Sequence, residues 1–196
     1  MRWPQGPARS GARLLAAVAL LLAAAGATVT APAEDDVQAP IETVGPVGRT
    51  VVARQIEVRA EDVKTADRLA LPAGSSARDS ATRGVWVVVD LTVACRIDAC
   101  GFSGSRLRIA GRSYAPSAIV PGTSFAATAQ DPGLRYRTSA VFEVPRSALK
   151  AGRARLAVQP QETRNLDGVP VIALRLPQTV TAVAPVRTTA LVGAAS

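Results

Sequence analysis

The 196-residue sequence contains no histidine. That absence removes the commonest general base and the commonest metal ligand together, so Ser-His-Asp, Cys-His and His-based zinc chemistry are excluded. Cysteine is nearly as scarce. Cys95 and Cys100 are the chain's two cysteines, too few to supply four metal ligands. The four residues between them, Arg96-Ile97-Asp98-Ala99, do not match the Cys-x-x-Cys spacing of a redox pair. Lysine occurs twice, at Lys64 and Lys150, against 21 arginines; with an Ala-rich composition this bias points to a high-GC genome before it points to a ligand. Aromatic residues make up 4% of the chain, which leaves few stacking platforms for nucleic acid.

Charge is missing altogether between Arg13 and Glu34. The stretch follows Arg2, Arg9 and Arg13, opens with Leu14, Leu15, Val18, Leu20, Leu21 and Leu22, and contains the small-residue triplets Ala25-Gly26-Ala27 and Ala31-Pro32-Ala33. A basic start, an apolar middle and small residues at the end are the plan of a secretory signal peptide. The strictly apolar run Leu14 to Ala27 would make about 21 Å of helix, short of a hydrocarbon core of about 30 Å. Counted through Ala33, however, the uncharged run could just span, with the arginines inside and Glu34-Asp35-Asp36 outside. Residues 1–33 are therefore expected to be a signal peptide or a signal anchor. On either reading the bulk of the chain is exported, secreted or held to the outer face of the cytoplasmic membrane by residues 14–33. No Cys follows the apolar run, so no lipoprotein anchor is expected.

The 163 residues after Ala33 suffice for one domain with a real core, and carry 20 basic against 15 acidic residues. Residues 34–47, with Pro40, Gly45, Pro46 and the acidic cluster, read as a linker. Period-two alternation begins near Thr50 and runs to Ala60. The strongest strand is Val85 to Ala94, with Val85, Val87, Val89, Leu91 and Val93 on one face and Trp86, Val88, Asp90, Thr92 and Ala94 on the other. Leu107 and Ile109 open a hairpin that turns at Ala110-Gly111 and returns through Tyr114. A second core strand alternates from Leu134 to Val144 and stops at Pro145. Leu156 and Val158 mark another, Val169 to Leu176 the last, and a short strand near Phe125 is expected within the Pro- and Gly-containing stretch 115–133. Ser147 to Gly152 allows one helical turn at most, and no longer window carries a helical stripe. The expected fold is all-β: an antiparallel β-sandwich of seven to eight strands over residues 48–186, with 187–196 as a flexible tail. Each strand has one apolar face that a second sheet must cover; closure into a barrel is the other way to cover it.

Three segments together carry a resemblance: Gly84-Val85-Trp86-Val87-Val88-Val89-Asp90-Leu91-Thr92-Val93, the hairpin ending in Tyr114, and Ala140-Val141-Phe142-Glu143-Val144-Pro145 followed by Leu156-Ala157-Val158. They resemble the immunoglobulin-like domains of unknown function found in Gram-positive secreted proteins and lipoproteins, similar to the immunoprotective extracellular antigen fold of mycobacteria. The resemblance spans Gly48 to Leu176. It implies an extracellular immunoglobulin-like sandwich without established enzymatic activity, and it brings no functional residues with it. The chain departs from the lipoprotein members in lacking the lipobox Cys.

In an oxidising compartment Cys95 and Cys100 are expected to form a local disulfide, whose six-residue ring would stabilise by about 2 kcal/mol on the loop-entropy account. Asp90 is expected at a rim or paired with an arginine, Glu143 in solvent, and Trp86 in the core. Arg106 with Arg108, and Arg135 with Arg137, each share one strand face. Were those strands in one sheet, the four guanidinium groups would form a patch suited to phosphate or carboxylate polymers of an envelope or to anionic head groups. No catalytic, metal or cofactor residue stands out. The expectation is a non-catalytic exported module that binds an envelope or membrane protein or an anionic cell-wall polymer, and not nucleic acid. A structural or antigenic domain without a specific ligand, and an enzyme using carboxylate or hydroxyl chemistry, are the alternatives.

Overall fold

A computed structural model describes residues 17, 18, 20 and 40–194, apart from 72–79, 118, 120–124, 127, 128 and 161–167. The chain divides into two compact units, Met1–Ala39 and Pro40–Ser196. In the first, Ala17, Val18 and Leu20 are helical; the rest of the expected signal peptide or anchor lies outside the described residues. No helix among the described residues is long and apolar enough to cross a membrane.

The second unit is built from β1 (Ile41–Pro46), β2 (Thr50–Val52), β3 (Ile56–Ala70), β4 (Val85–Cys95), β5 (Arg106–Ile109) and β6 (Arg112–Tyr114). These are followed by β7 (Leu134–Val144), β8 (Arg153–Ala157), β9 (Gly168–Arg175), β10 (Thr181–Pro185) and β11 (Ala190–Ala194). A short 3-10 helix, Arg146–Ala151, links β7 to β8 and ends on Gly152 in the left-handed region. Two sheets result. One has the order β1-β9-β8-β5-β6; the other has the order β10-β3-β4-β7-β11, with β2 also paired to β3. Neighbours are antiparallel except at two edges, where β1 runs parallel to β9 and β10 parallel to β3.

The alternation in β4 dictates the layering. Val85, Val87, Val89, Leu91 and Val93 point between the sheets, where they meet Phe142, Val144, Leu107, Ile109, Leu156 and Ile172 in one continuous core. The five-residue face of β4 is almost wholly buried, which at about 1.5 to 3 kcal/mol per fully buried aliphatic side chain makes this strand the main apolar contributor. The fold is thus an all-β sandwich with the faces expected from the sequence. The hairpin turns where expected: Ala110 and Gly111 both have positive φ, 48° and 77°, the conformation of a two-residue turn that suits the twist of β5 and β6. Cys95 and Cys100 are disulfide-bonded.

Four expectations need correction. Within the segment read as a linker, Ile41–Pro46 is strand β1, a parallel addition to the edge of β9. An edge is where Pro is tolerated, because a missing N–H there costs no ladder bond on the open side. Within the segment read as a flexible tail, Ala190–Ala194 is strand β11, paired with β7. The alternating segment from Thr50 is two strands, β2 and β3, folded back on one another by a bend at Arg54-Gln55. Phe125 is no strand residue; it sits in a turn and stacks on Phe102 with ring centroids 5.0 Å apart.

β10 and β11 lie at opposite edges of one sheet, so residues 186–189 cross its outer face as a strap. Beneath it Trp86, Val88 and Val141 pack against Ala66, Leu69, Ala184 and Val186 in a second, smaller core, and the Trp86 indole N–H donates to the Ser80 carbonyl at 2.6 Å. Trp86 is buried as expected, but on the outer face of the sheet.

Candidate functional site

In the five-stranded sheet the inward residues Leu107, Ile109, Ala154, Leu156 and Leu174 force Arg106, Arg108, Arg153, Arg155 and Arg175 outward by the two-residue period. Register then places Arg108 directly opposite Arg155 and Arg153 directly opposite Arg175. Side chains so paired have Cβ atoms about 4.5 to 5.5 Å apart, and like charges there are destabilising. Glu42 of β1 answers the first pair: it accepts hydrogen bonds from Arg108 and, at 2.9 Å, from Arg155 Nη2. Arg106 Nη1 donates to the carbonyls of Ser103 (3.1 Å) and Ser105 (2.8 Å). Arg153 and Arg175, both exposed, have no acidic partner among the described residues. With Arg112, the five strands carry six arginines against the single carboxylate Glu42, a net of +5. The other sheet carries five cations against six carboxylates, a net of −1. Its surface is balanced; that of the five-stranded sheet is not.

The sequence-derived patch is therefore divided. Arg106 and Arg108 lie on β5, Arg135 and Arg137 on β7, and these strands belong to different sheets whose outer faces look in opposite directions. The period-two argument assigns each pair to an outer face correctly, but it carries no information about which sheet a strand joins. Arg153, Arg155 and Arg175 complete the basic face in place of the β7 pair. The signal for two of them was in the sequence: Arg153-Ala154-Arg155-Leu156 repeats the Arg-x-Arg pattern of Arg106-Leu107-Arg108 in a second short strand.

On the opposite face, Arg135 pairs with Glu57 at 2.7 Å and Arg59 with Glu61 at 3.2 Å. A bulge between Ala60 and Asp62 gives β3 one extra residue there, Glu61, which also accepts from the Thr92 hydroxyl at 3.1 Å. Arg137 is exposed and has no ion-pair partner among the described residues. Asp90, expected at a rim or paired with an arginine, is not at a rim but buried under the strap with its side chain 4% exposed, and the arginine is Arg187. The Asp90 carboxylate is paired, with Lys64 Nζ at 2.7 Å and Arg187 Nε at 3.5 Å, and it accepts from the Ser139 hydroxyl at 2.6 Å. Partial burial works against the Lys64 ammonium, but hydrogen bonds and Coulomb attraction from Asp90, then Asp62, outweigh it and raise its pKa above the usual 10.5. Glu143 is exposed and accepts a hydrogen bond from Thr82. No cluster of three or more metal-ligating side chains occurs among the described residues.

No protein-family profile matches this sequence, and no curated protein does. Among solved structures, the chain is similar to an uncharacterized β-sandwich protein from Clostridium difficile 630, with a TM-score of 0.46, 10% identity, and coverage of 69% of this chain and 95% of that one. It is also similar to the yjhA protein of Bacillus subtilis, with a TM-score of 0.46, 14% identity, and coverage of 65% and 98%.

Proposed function

We propose that this protein is an exported, non-catalytic immunoglobulin-like module that binds an anionic polymer of the cell envelope through the outer face of its five-stranded sheet. The observation that carries the reading is the pair of like-charged cross-strand neighbours, Arg108 opposite Arg155 and Arg153 opposite Arg175, on one exposed face. Glu42 bridges the first pair, but folding alone gains nothing from the second, in which Arg153 and Arg175 repel one another with no acidic partner among the described residues. A repeating polyanion laid across the strands would supply the missing counter-charge, and arginine's planar fork suits phosphate and carboxylate oxygens alike. Export rests on the uncharged segment between Arg13 and Glu34 and on the resemblance to secreted immunoglobulin-like domains. With no histidine in the chain, nucleophilic and acid-base routes would have to run on other groups. The buried carboxylate Asp90 is already neutralised by Lys64 and Arg187.

Co-sedimentation with purified Gram-positive cell wall, with anionic vesicles and with neutral vesicles tests the reading. The wild type should pellet with the wall at low salt, where charges act over about 30 Å, and be released near 1 M salt, where they act over about 3 Å. The R153Q/R175Q variant should be retained more weakly and released at lower salt, while R135Q/R137Q behaves like wild type. Retention unaffected by R153Q/R175Q, or retention by anionic vesicles alone, would overturn the proposal.

A further inference from the structure

The opposite face of the sandwich holds a second feature, which does not depend on the basic face. A concavity of about 650 Å³ opens on the outer side of the six-stranded sheet, with Glu57, Arg59, Glu61, Thr92, Arg135 and Arg137 among its walls. A smaller one of about 340 Å³ adjoins it, bounded by Arg137, Val186, Arg187, Thr188 and Ala190. Arg137 lines both. No acidic residue lines the smaller hollow, whereas Glu57 and Glu61 line the larger. The smaller hollow is therefore purely cationic, and both carboxylates of the composite site lie in the larger one, Glu57 beside Arg135 and Glu61 beside Arg59.

Register shows why Glu61 and Arg137 face one another without meeting. Thr92 of β4 lies between Arg59 of β3 and Arg137 of β7 in a single cross-strand row, which puts the two arginine backbones about 10 Å apart at about 5 Å per strand step. The Glu61 carboxylate is drawn toward that row by Thr92 and Arg59, yet it forms no ion pair with Arg137 among the described residues. Arg187 is held loosely, its Nε 3.5 Å from a carboxylate that Lys64 already occupies at 2.7 Å. Two arginines with unspent hydrogen-bonding capacity thus border one hollow, with a carboxylate across the gap.

We infer that this composite concavity binds a short zwitterionic ligand of the peptide or amino-acid class, its carboxylate seated between Arg137 and Arg187 and its ammonium group toward Glu61. A bidentate guanidinium-carboxylate contact fixes one end. The strand spacing makes a short peptide a better fit than a single amino acid, whose two charged groups are too close together to reach both walls. The ligand lies over Thr92 and leaves the five-stranded sheet untouched.

Triglycine, N-acetyl-triglycine, triglycine amide and inorganic phosphate are the probes, titrated into the 15N-labelled full chain while the amide resonances of Thr92, Arg137 and Thr188 are followed. Triglycine should give saturable shifts at those residues. Amidation of its carboxylate, or R137Q, should weaken binding about tenfold or more, the loss of a charge-assisted contact; acetylation or E61Q should weaken it by a smaller factor. The R153Q/R175Q variant should bind triglycine like wild type, so this inference and the wall-binding proposal fail separately. No saturation at millimolar triglycine, equal binding of the amide, an R137Q protein that binds normally, or phosphate binding without triglycine binding would each overturn it.

Discussion

Replacing Asp90 by Asn removes one charge from beneath the strap while keeping the side-chain volume and an oxygen for the Ser139 hydroxyl. In the native protein that carboxylate accepts from Lys64 at 2.7 Å and from Ser139 at 2.6 Å and lies 3.5 Å from Arg187. A hydrogen bond to a charged group contributes about 1.5 to 3 kcal/mol, and breaking a fully buried pair costs about 3 to 5 kcal/mol. Lys64 is not fully buried: its side chain is 30% exposed and it keeps Asp62 at 3.2 Å. The cost of Asp90→Asn should therefore sit at the lower end, about 2 kcal/mol. Asp90→Ala also strips the Ser139 hydroxyl of its acceptor in a buried position, adding about 1 kcal/mol. Urea unfolding of wild type, D90N, D90A, K64M and D90N/K64M, in a Trp3→Phe background that leaves Trp86 as the reporter, gives both costs and a Lys64–Asp90 coupling of about 1 to 2 kcal/mol. Unchanged m-values would confirm that stability and not denatured-state compactness has moved. A D90N protein within about 0.5 kcal/mol of wild type would refute the claim that the buried Lys64–Asp90 pair stabilises the fold.

Other consequences are checked by the same unfolding measurement. Phe142→Ala should cost about 3 to 5 kcal/mol, since the ring is fully buried between the sheets; a loss below about 1 kcal/mol would mean β7 packs differently. Gly84→Ala should destabilise by about 1 to 3 kcal/mol, because a Cβ there would lie 2.3 Å from the Val144 carbonyl oxygen. Reducing the Cys95–Cys100 bridge should cost about 2 kcal/mol, and alkylation of the unreduced, denatured chain should label neither cysteine. The Lys64 pKa is raised on folding, so its contribution is complete below pH 10.5 and is lost as pH climbs through the higher folded value. Stability should accordingly fall above pH 10.5 by an increment that K64M lacks.

The central strands were legible because they are apolar almost throughout: β4 is buried at every residue but the half-buried Thr92, under the opposite sheet on one side and largely under the strap on the other. β4 and the C-terminal half of β7 bury one face against the opposite sheet, and that face holds every second residue from Val85 to Val93 and Ala140, Phe142 and Val144. The edge strands escaped for the converse reason. β1 has an exposed or half-exposed pattern throughout and β11 is exposed at every residue; held by ladder bonds at one side, neither needs an apolar face, and Pro46 or Gly193 is tolerated in it. Asp90 was legible only as a choice between a rim position and an arginine partner, because a carboxylate in an apolar strand reveals burial only through its partners, and Lys64, Ser139 and Arg187 stand 26, 49 and 97 positions away in sequence. The basic face was half legible. Alternation in single strands showed that Arg106 and Arg108 point outward, but the pairing of β5 with β8 and of β8 with β9 is long-range, and it alone brings Arg153, Arg155 and Arg175 beside them.

The central claim is that these arginines meet a polyanion, and the salt dependence of cell-wall binding tests it most directly. Counterion release makes log affinity fall linearly with log salt, with a slope set by the number of charges engaged. The account predicts a steep slope for the wild type, a slope shallower by about 1 to 2 for R153Q/R175Q, and no change for R135Q/R137Q. Binding that does not respond to salt, or a slope that R135Q/R137Q alters and R153Q/R175Q does not, would contradict it.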